Sequence, residues 1–221
     1  MLACRAAPHL VVLPSRSWLL LGMLLALLGG CREHADACAT YTPRDGDIVF
    51  HSSRSEQSLA IVRLTHLPYT HMGVVFLRTQ GPFVLEAAQP VRWTPLDQWI
   101  ARGEGGHFVV RRLADAPKRL TPRALARLRS VGEDFVGRAY DTHLAWSDER
   151  LYCSELAWKL FRRGLGIELA PLQRIGDYNL DDPLVRTTLG KSYGASDTRD
   201  ELAISPAAIF DSPWLVTAFR R

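Results

Sequence analysis

The chain has 221 residues, 47% of them hydrophobic and 23% charged, with a net charge of +4. That length fits one domain of ordinary size plus an appendage. The weak positive charge comes with no basic block interleaved with aromatics, and there is no Gly-x-Ser-x-Gly elbow, phosphate-binding glycine loop or dinucleotide fingerprint. Nucleic-acid binding, serine-elbow hydrolysis and nucleotide chemistry therefore have no support.

The appendage is at the front. Arg5 and Arg16 make a basic start, and an uncharged apolar run follows from Trp18 to Leu28. The run is too short to span a bilayer as a helix and has the length of a signal-peptide core. It ends Leu28-Gly29-Gly30-Cys31, which resembles a bacterial lipobox. The resemblance implies a signal peptide over 1–30, cleavage after Gly30 and diacylglycerol on Cys31, so that a membrane is the first partner through a stable multi-acyl anchor. Arg32 rather than aspartate after the lipidated position implies, by likeness to Gram-negative lipoproteins, the periplasmic face of the outer membrane. Removing 1–30 lowers the net charge from +4 to +2. Residues 31–45 are polar and read as a lipidated tether, with a single domain over 46–221. Cys38 and Cys153 are the cysteines left to pair in an oxidising compartment, but Cys38 lies in the tether and Cys153 in a core-patterned helix.

Gly46-Asp47 is a turn signal and Ile48-Val49-Phe50 a short strand. Leu59, Ile61, Val62 and Leu64 give an amphipathic turn or two before Pro68, with Ser53 or Ser55 as the cap. Met72 to Leu77 is an apolar run of strand length, Thr79-Gln80-Gly81-Pro82 breaks it, and Phe83 to Ala87 is a second strand. So short a connection predicts an antiparallel hairpin. With the turn centred between Thr79 and Gln80, Glu86 falls opposite Gly73 and diagonal to His71, all three on one face. Gly73 then leaves room for the Glu86 side chain to reach the His71 ring.

Val91 to Trp93 continues extended, Pro95 to Ala101 reads as a helical turn, and His107 to Leu113 is another strand. Thr121-Pro122 starts a helix with a Leu125, Leu128, Val131 and Phe135 stripe. After a polar loop, Leu151-Tyr152-Cys153-Ser154-Glu155 opens a second helix, which stops at Gly164 and Gly166. Cys153, Leu156, Ala157 and Leu160 share one face. Ser154 and Glu155 suit a first turn, where free N–H groups and the helix dipole favour small polar and acidic groups, and the same field favours a thiolate at Cys153. The plain alternative is a small buried hydrophobe. The chain ends in turns, Ser205-Pro206 and a last apolar run, Trp214 to Phe219. Strands cluster between 47 and 113 with helices around them, which makes the class α+β.

A cysteine hydrolase needs a thiolate, an imidazole to stabilise it and later protonate the leaving group, and a group to orient that imidazole. Cys153, His71 and Glu86 are of those types, and the Cys153 N–H at a helix start is a candidate oxyanion donor. His51, His66, His107 and His143 are rival bases without so clear an acid partner. No Cys-x-x-Cys or His-x-x-x-His spacing suggests a metal, and no cofactor is expected.

Gly46-Asp47-Ile48-Val49-Phe50, Gln57-Ser58, Tyr69 to Val75, Leu85-Glu86-Ala87, Tyr140-Asp141 and Tyr152-Cys153-Ser154-Glu155 recur in this order in one family. So does the closing Ser205-Pro206 and Ser212-Pro213-Trp214 stretch. The chain resembles the circularly permuted, YiiX/YebB-like branch of the NlpC-type papain-like cysteine hydrolases over about residues 43–221. The resemblance implies a papain-like α+β fold whose nucleophile helix packs on a small antiparallel sheet. It also implies Cys153 as nucleophile, His71 as base and Glu86 as the orienting acid, with Tyr140 and Asp141 as pocket residues. Implied substrates are cell-envelope peptides, by likeness to cell-wall hydrolases, or N-acyl and lipid acyl groups, by likeness to lecithin retinol acyltransferase. A catalytically dead envelope-binding lipoprotein is the alternative outside enzymology.

Overall fold

A computed structural model describes residues 40–53, 56–178, 180–187 and 199–221. The expected signal peptide, the lipidation site Cys31 and Cys38 lie outside the described residues. The folded unit begins by Thr42, earlier than the boundary at 46 drawn from composition. Asp45 explains the difference: its carboxylate accepts from the Leu77 N–H at 2.8 Å and from Arg129 at 2.5 Å, so the end of the polar stretch is part of the domain.

The strands are β1 (Ile48–His51), β2 (His71–Arg78), β3 (Gly81–Glu86), β4 (Arg92–Pro95) and β5 (Val109–Leu113), joined at the far edge by β10 (Leu215–Arg220). They form one antiparallel sheet in the order β10-β5-β1-β2-β3-β4. The terminal apolar run therefore closes an edge of the sheet, by pairing with β5 across about half the chain. Asp47, fully buried, bolts β1 to β5: Arg112 grips it at 2.5 and 2.8 Å through two nitrogens, a bidentate geometry that fixes direction as well as charge. Gly46 precedes it at φ +80°, the left-handed turn that glycine adopts without penalty. These contacts account for the Gly-Asp pair at the head of the domain.

The β2–β3 register runs from Arg78↔Gly81 to Val74↔Leu85, so the hairpin turn centres between Thr79 and Gln80 as the loop length predicts. Gly73 is where the strands come closest. A Cβ there would lie 2.4 Å from Val84 Cγ1, 2.8 Å from the Leu85 carbonyl and 3.4 Å from Glu86 Cβ.

Around the sheet run α1 (Glu56–Thr65), the single turns α2 (Leu96–Ala101) and α3 (Ala116–Arg119), α4 (Pro122–Phe135), α5 (Cys153–Leu165) and α6 (Pro206–Phe210). Thr121 caps α4 by accepting from the Ala124 N–H, and Pro122 occupies its first turn. The buried stripe of α4 is Ala124, Leu128, Gly132 and Phe135; Leu125 and Val131 sit at its margins, a rotation from the expected face. Close approach explains the shift. A Cβ on Gly132 would lie 2.9 Å from Leu85 Cδ2, and one on Gly164 of α5 would lie 3.0 Å from Leu128 Cα. Gly164 is thus a packing glycine inside α5 and does not stop it; the helix ends at Gly166, at φ +71°.

Helix α5 packs against β2 and α4, with Leu156, Ala157, Leu160 and Phe161 fully buried in the core. Burial extends beyond the apolar face: Ser154, Glu155 and Lys159 are each at most 3% exposed. Two-residue pairings, β6 (Ala139–Tyr140) with β7 (Arg150–Leu151) and β8 (Gln173–Arg174) with β9 (Leu202–Ala203), tie down the loops on either side of α5.

Candidate active site

Cys153 is the first residue of α5, a free thiol, 4% exposed. His71, the first residue of β2, lies close enough to the Cys153 side chain for the two to influence each other's charge. His71 Nε2 meets Glu86 Oε2 at 2.7 Å, which leaves Nδ1 as the ring nitrogen available to the thiol. Glu86, the last residue of β3, is fully buried, and its second oxygen accepts from Thr94 Oγ1 and from Arg102, both at 2.6 Å. Arg92, its cross-strand partner, adds a charge at 3.7 Å. The three residues singled out from the sequence thus converge, with the imidazole in contact with the carboxylate and within reach of the thiol.

The electrostatics follow from these contacts. Burial alone opposes a charged His71 ring, but hydrogen bonds to Cys153 and Glu86, and the negative charges there, overcome it and raise the pKa from 6.5 to about 9. Burial likewise opposes a charged Glu86, and the His71 and Thr94 hydrogen bonds together with the Arg102 charge outweigh it, lowering the carboxyl to about 2. Between those limits the pair is an imidazolium held by a carboxylate.

Four neighbours surround these residues, and of them only His51 was singled out from the sequence, as a rival base. Trp99 of α2 lies 6.1 Å from the His71 ring at an interplanar angle of 26°, and is itself fully buried. His51, opposite His71 in the β1–β2 register, meets that ring edge-on at 5.3 Å and Trp99 at 4.2 Å. Burial, then the positive charges of His71 and Arg102, pushes His51 down to about 3, so it packs as a neutral ring. Thr94 and Arg102 reach Glu86 only because β4 folds back beside β3 and α2 turns the chain again, a pairing that short strand patterns do not specify. Of the other histidines, His143 sits in the loop between β6 and β7.

The first turn of α5 is held from several directions. Glu155 accepts from the Tyr152 N–H at 3.3 Å, as a first-turn acid does, and from the Ser147 N–H at 3.2 Å. Lys159, one turn on, pairs with Glu155 at 2.7 Å and Asp148 at 2.9 Å and donates to the Ser147 carbonyl. Ser154 Oγ donates to the Ile204 carbonyl at 2.7 Å. Together these fix the loop between β6 and β7 against the helix that carries Cys153. The loop holds Leu144 at φ +56°, a conformation costly for a side chain with a Cβ, in the wall of a cavity beside Cys153. Tyr140 lines the same cavity. Asp141 is buried behind it, with Oδ1 accepting from the His143 N–H at 2.8 Å, an Asx-type contact that shapes the loop.

Residues 42–218 match the model of permuted papain-like amidase enzymes, the YaeF/YiiX, C92 family. The chain belongs to this family. It is 40% identical over 177 residues to the uncharacterized protein YiiX of Escherichia coli (strain K12), covering 80% of this chain and 86% of that one. It is also similar to a solved structure, described as that of the metalloprotein YiiX from Escherichia coli O157:H7. The TM-score is 0.77 at 40% identity, over 82% of this chain and 99% of that one. The C92 family assignment and the six-stranded antiparallel sheet with helices packed on it agree with the papain-like α+β class read from the sequence. Membership supports hydrolysis of the amidase or peptidase kind.

Proposed function

We propose that this C92-family chain is a cysteine amidase in which Cys153 attacks a carbonyl carbon, His71 manages the proton and Glu86 holds His71. The observation that carries the reading is the His71 ring seated between a buried carboxylate and a thiol at a helix N-terminus. In the reaction the Cys153 sulfur bonds to the carbonyl carbon, and the oxyanion is met by N–H groups of the first turn of α5. The imidazolium then gives its proton to the departing amine as the C–N bond breaks. Water adds to the thioester, its proton passes to His71, and the acid leaves with the thiolate restored. An acyltransferase or thioesterase would share the first half of this sequence, and a binding lipoprotein would show none of it.

Iodoacetamide tests the reading without a substrate. At pH 7 Cys153 is expected to be alkylated about tenfold or more faster than a free thiol, and His71→Ala to remove the difference. A rate no faster than that of a free thiol, or one unchanged by His71→Ala, would refute the reading.

The YiiX relative is described as a metalloprotein. Among the described residues of this chain no group of three or more His, Cys, Asp or Glu is placed to hold a metal ion, and His71 Nε2 is already engaged by Glu86. The donor set does not fit a metal, so no step passes through one.

The same proposal places the domain on a membrane. Cleavage after Gly30 would leave acylated Cys31 ahead of a tether ending near Thr42, at the periplasmic face of the outer membrane, with envelope peptides or N-acyl and lipid amides as the substrates in reach. Cys31→Ser is expected to move the protein from the membrane to the soluble fraction; retention in the membrane would refute the anchor.

A further inference from the structure

We infer that one end of the sheet is the face this domain lays on the membrane, and that the Cys153 end is thereby held off the bilayer, open to amides in the aqueous layer. The inference rests on the acyl anchor at Cys31 proposed above and adds which way the anchored domain faces.

The antiparallel strands bring two sets of residues to opposite ends. At one end β1 starts, β2 ends, β5 ends and β10 starts; at the other stand His51, His71 and Glu86. Leu77 and His71 are six residues apart along β2, about 20 Å. The chain enters the domain at the first of these ends. The Thr42 carbonyl accepts from Arg112 of β5 at 3.4 Å, and the Asp45 carboxylate accepts from the Leu77 N–H at 2.8 Å. Val216 of β10 is the cross-strand partner of Arg112. The entering segment is therefore bounded by Leu77 on one side and the Arg112–Val216 pair on the other.

Leu77, Trp214 and Val216 are 44%, 38% and 48% exposed, half of the six large hydrophobic side chains exposed among the described residues. One exposed apolar side chain is ordinary, but three at the end where the tether arrives make a surface. Arg119 lies over the Trp214 ring, 4.7 Å from its centre, and an indole beside a cation suits the headgroup layer. Carboxylates at this end are neutralised in place: Asp45 by Arg129, Asp47 by Arg112 and Asp115 by Arg119. Arg44, Lys118 and Arg123, all exposed, add positive charge, the sign that anionic lipid headgroups attract. The tether does not impose the orientation. Eleven residues lead from Cys31 to Thr42 and reach at most about 36–40 Å, enough to let the domain turn any face to the bilayer. The anchor supplies the affinity, and the patch, too small to capture a membrane by itself, sets the direction.

The lipidated mature protein in phosphatidylethanolamine–phosphatidylglycerol vesicles tests this. Its thiols are alkylated by iodoacetamide carried on a phosphatidylethanolamine headgroup and, separately, by iodoacetamide free in water, and peptide masses report each cysteine. For each thiol the lipid-borne rate is divided by the soluble rate. Cys38, seven residues from the anchor, is the reference within reach of the lipid. The ratio at Cys153 is expected to be at least about tenfold below that at Cys38, because a thiol held beyond the headgroups gains nothing from the surface concentration of the reagent. Leu77→Glu together with Val216→Glu is expected to raise the Cys153 ratio toward that of Cys38, as the freed domain turns on its tether. Equal ratios at the two cysteines in the wild type, or a Cys153 ratio unmoved by the double substitution, would overturn the docking face and leave the anchor standing. A mature chain whose mass includes no acyl groups would bring down the anchor, and the orientation with it.

Discussion

Glu86→Gln is expected to lower kcat/KM by about 10³- to 10⁴-fold, the scale seen when the orienting acid of a catalytic triad loses its charge. The neighbours of Glu86 make the outcome specific. Thr94 and Arg102 both donate to Oε1, so a glutamine here keeps its carbonyl oxygen at that position and turns its NH₂ toward His71 Nε2. Nε2 must then accept, the ring proton moves to Nδ1, and the nitrogen available to Cys153 can no longer take the thiol proton. The carboxylate charge is lost as well, and with it part of what raises His71 to about 9. The alkaline limb of the pH–rate profile, set by loss of the imidazolium proton, should therefore fall from near 9 toward the ordinary histidine range. A steady-state pH profile of the variant measures both effects. A loss below tenfold with an unmoved alkaline limb would show that Glu86 does not orient His71.

The second large effect is on stability. Lys159→Met is expected to destabilise the domain by about 3–5 kcal/mol at pH 8, because it leaves a fully buried Glu155 without its cation. The pH dependence identifies the cause. Burial raises the Glu155 carboxyl from 4.5 to about 7, against the opposing Lys159 hydrogen bond and charge. Between those values the folded state holds a proton that the unfolded chain has released, so stability from this group falls as pH rises from 4.5 to 7. Without Lys159 the folded-state value climbs further and the decline extends above pH 7. Below pH 4.5 the acid is neutral in both states, and the deficit of the variant should shrink to the packing difference plus the lost Lys159 contacts to Asp148 and the Ser147 carbonyl. Urea unfolding at pH 4 and pH 8 tests this; an equal deficit at both would mean that the lysine acts through its methylene stem and those other contacts and not through Glu155.

Sequence patterns carried the hairpin and little of its surroundings. Period-two alternation and a short turn fixed where Glu86 stands relative to His71, since slipping the register by one would have put Val84, Leu85 and Glu86 on the wrong faces. Gly73 carried its own clue, a glycine within an apolar strand where two backbones and a long side chain crowd together. The shell around the dyad depends on β4, α2 and β1 arriving from three directions. Thr94, Trp99, Arg102 and His51 look in isolation like ordinary strand and turn residues. Glu155 and Lys159 stand four residues apart on α5, but such spacing does not distinguish a solvated pair from one at the centre of a packed helix. The Leu125 and Val131 stripe on α4 misled because glycines at 132 and 164 let backbones approach where larger side chains were expected to meet.

The His71–Glu86 hairpin also orders assembly in time. Its two partners lie 15 residues apart on adjacent strands, whereas Cys153 enters about eighty residues later and the last strand of the sheet later still. Contacts so close in sequence close quickly, and long-range ones wait for the rest of the chain. A chain delivered from its N-terminus pairs His71 with Glu86 before Cys153 arrives. Cys153 meets the His71 imidazole only when α5 docks on β2, so whatever that contact does to the thiol belongs to the finished fold and not to the nascent chain.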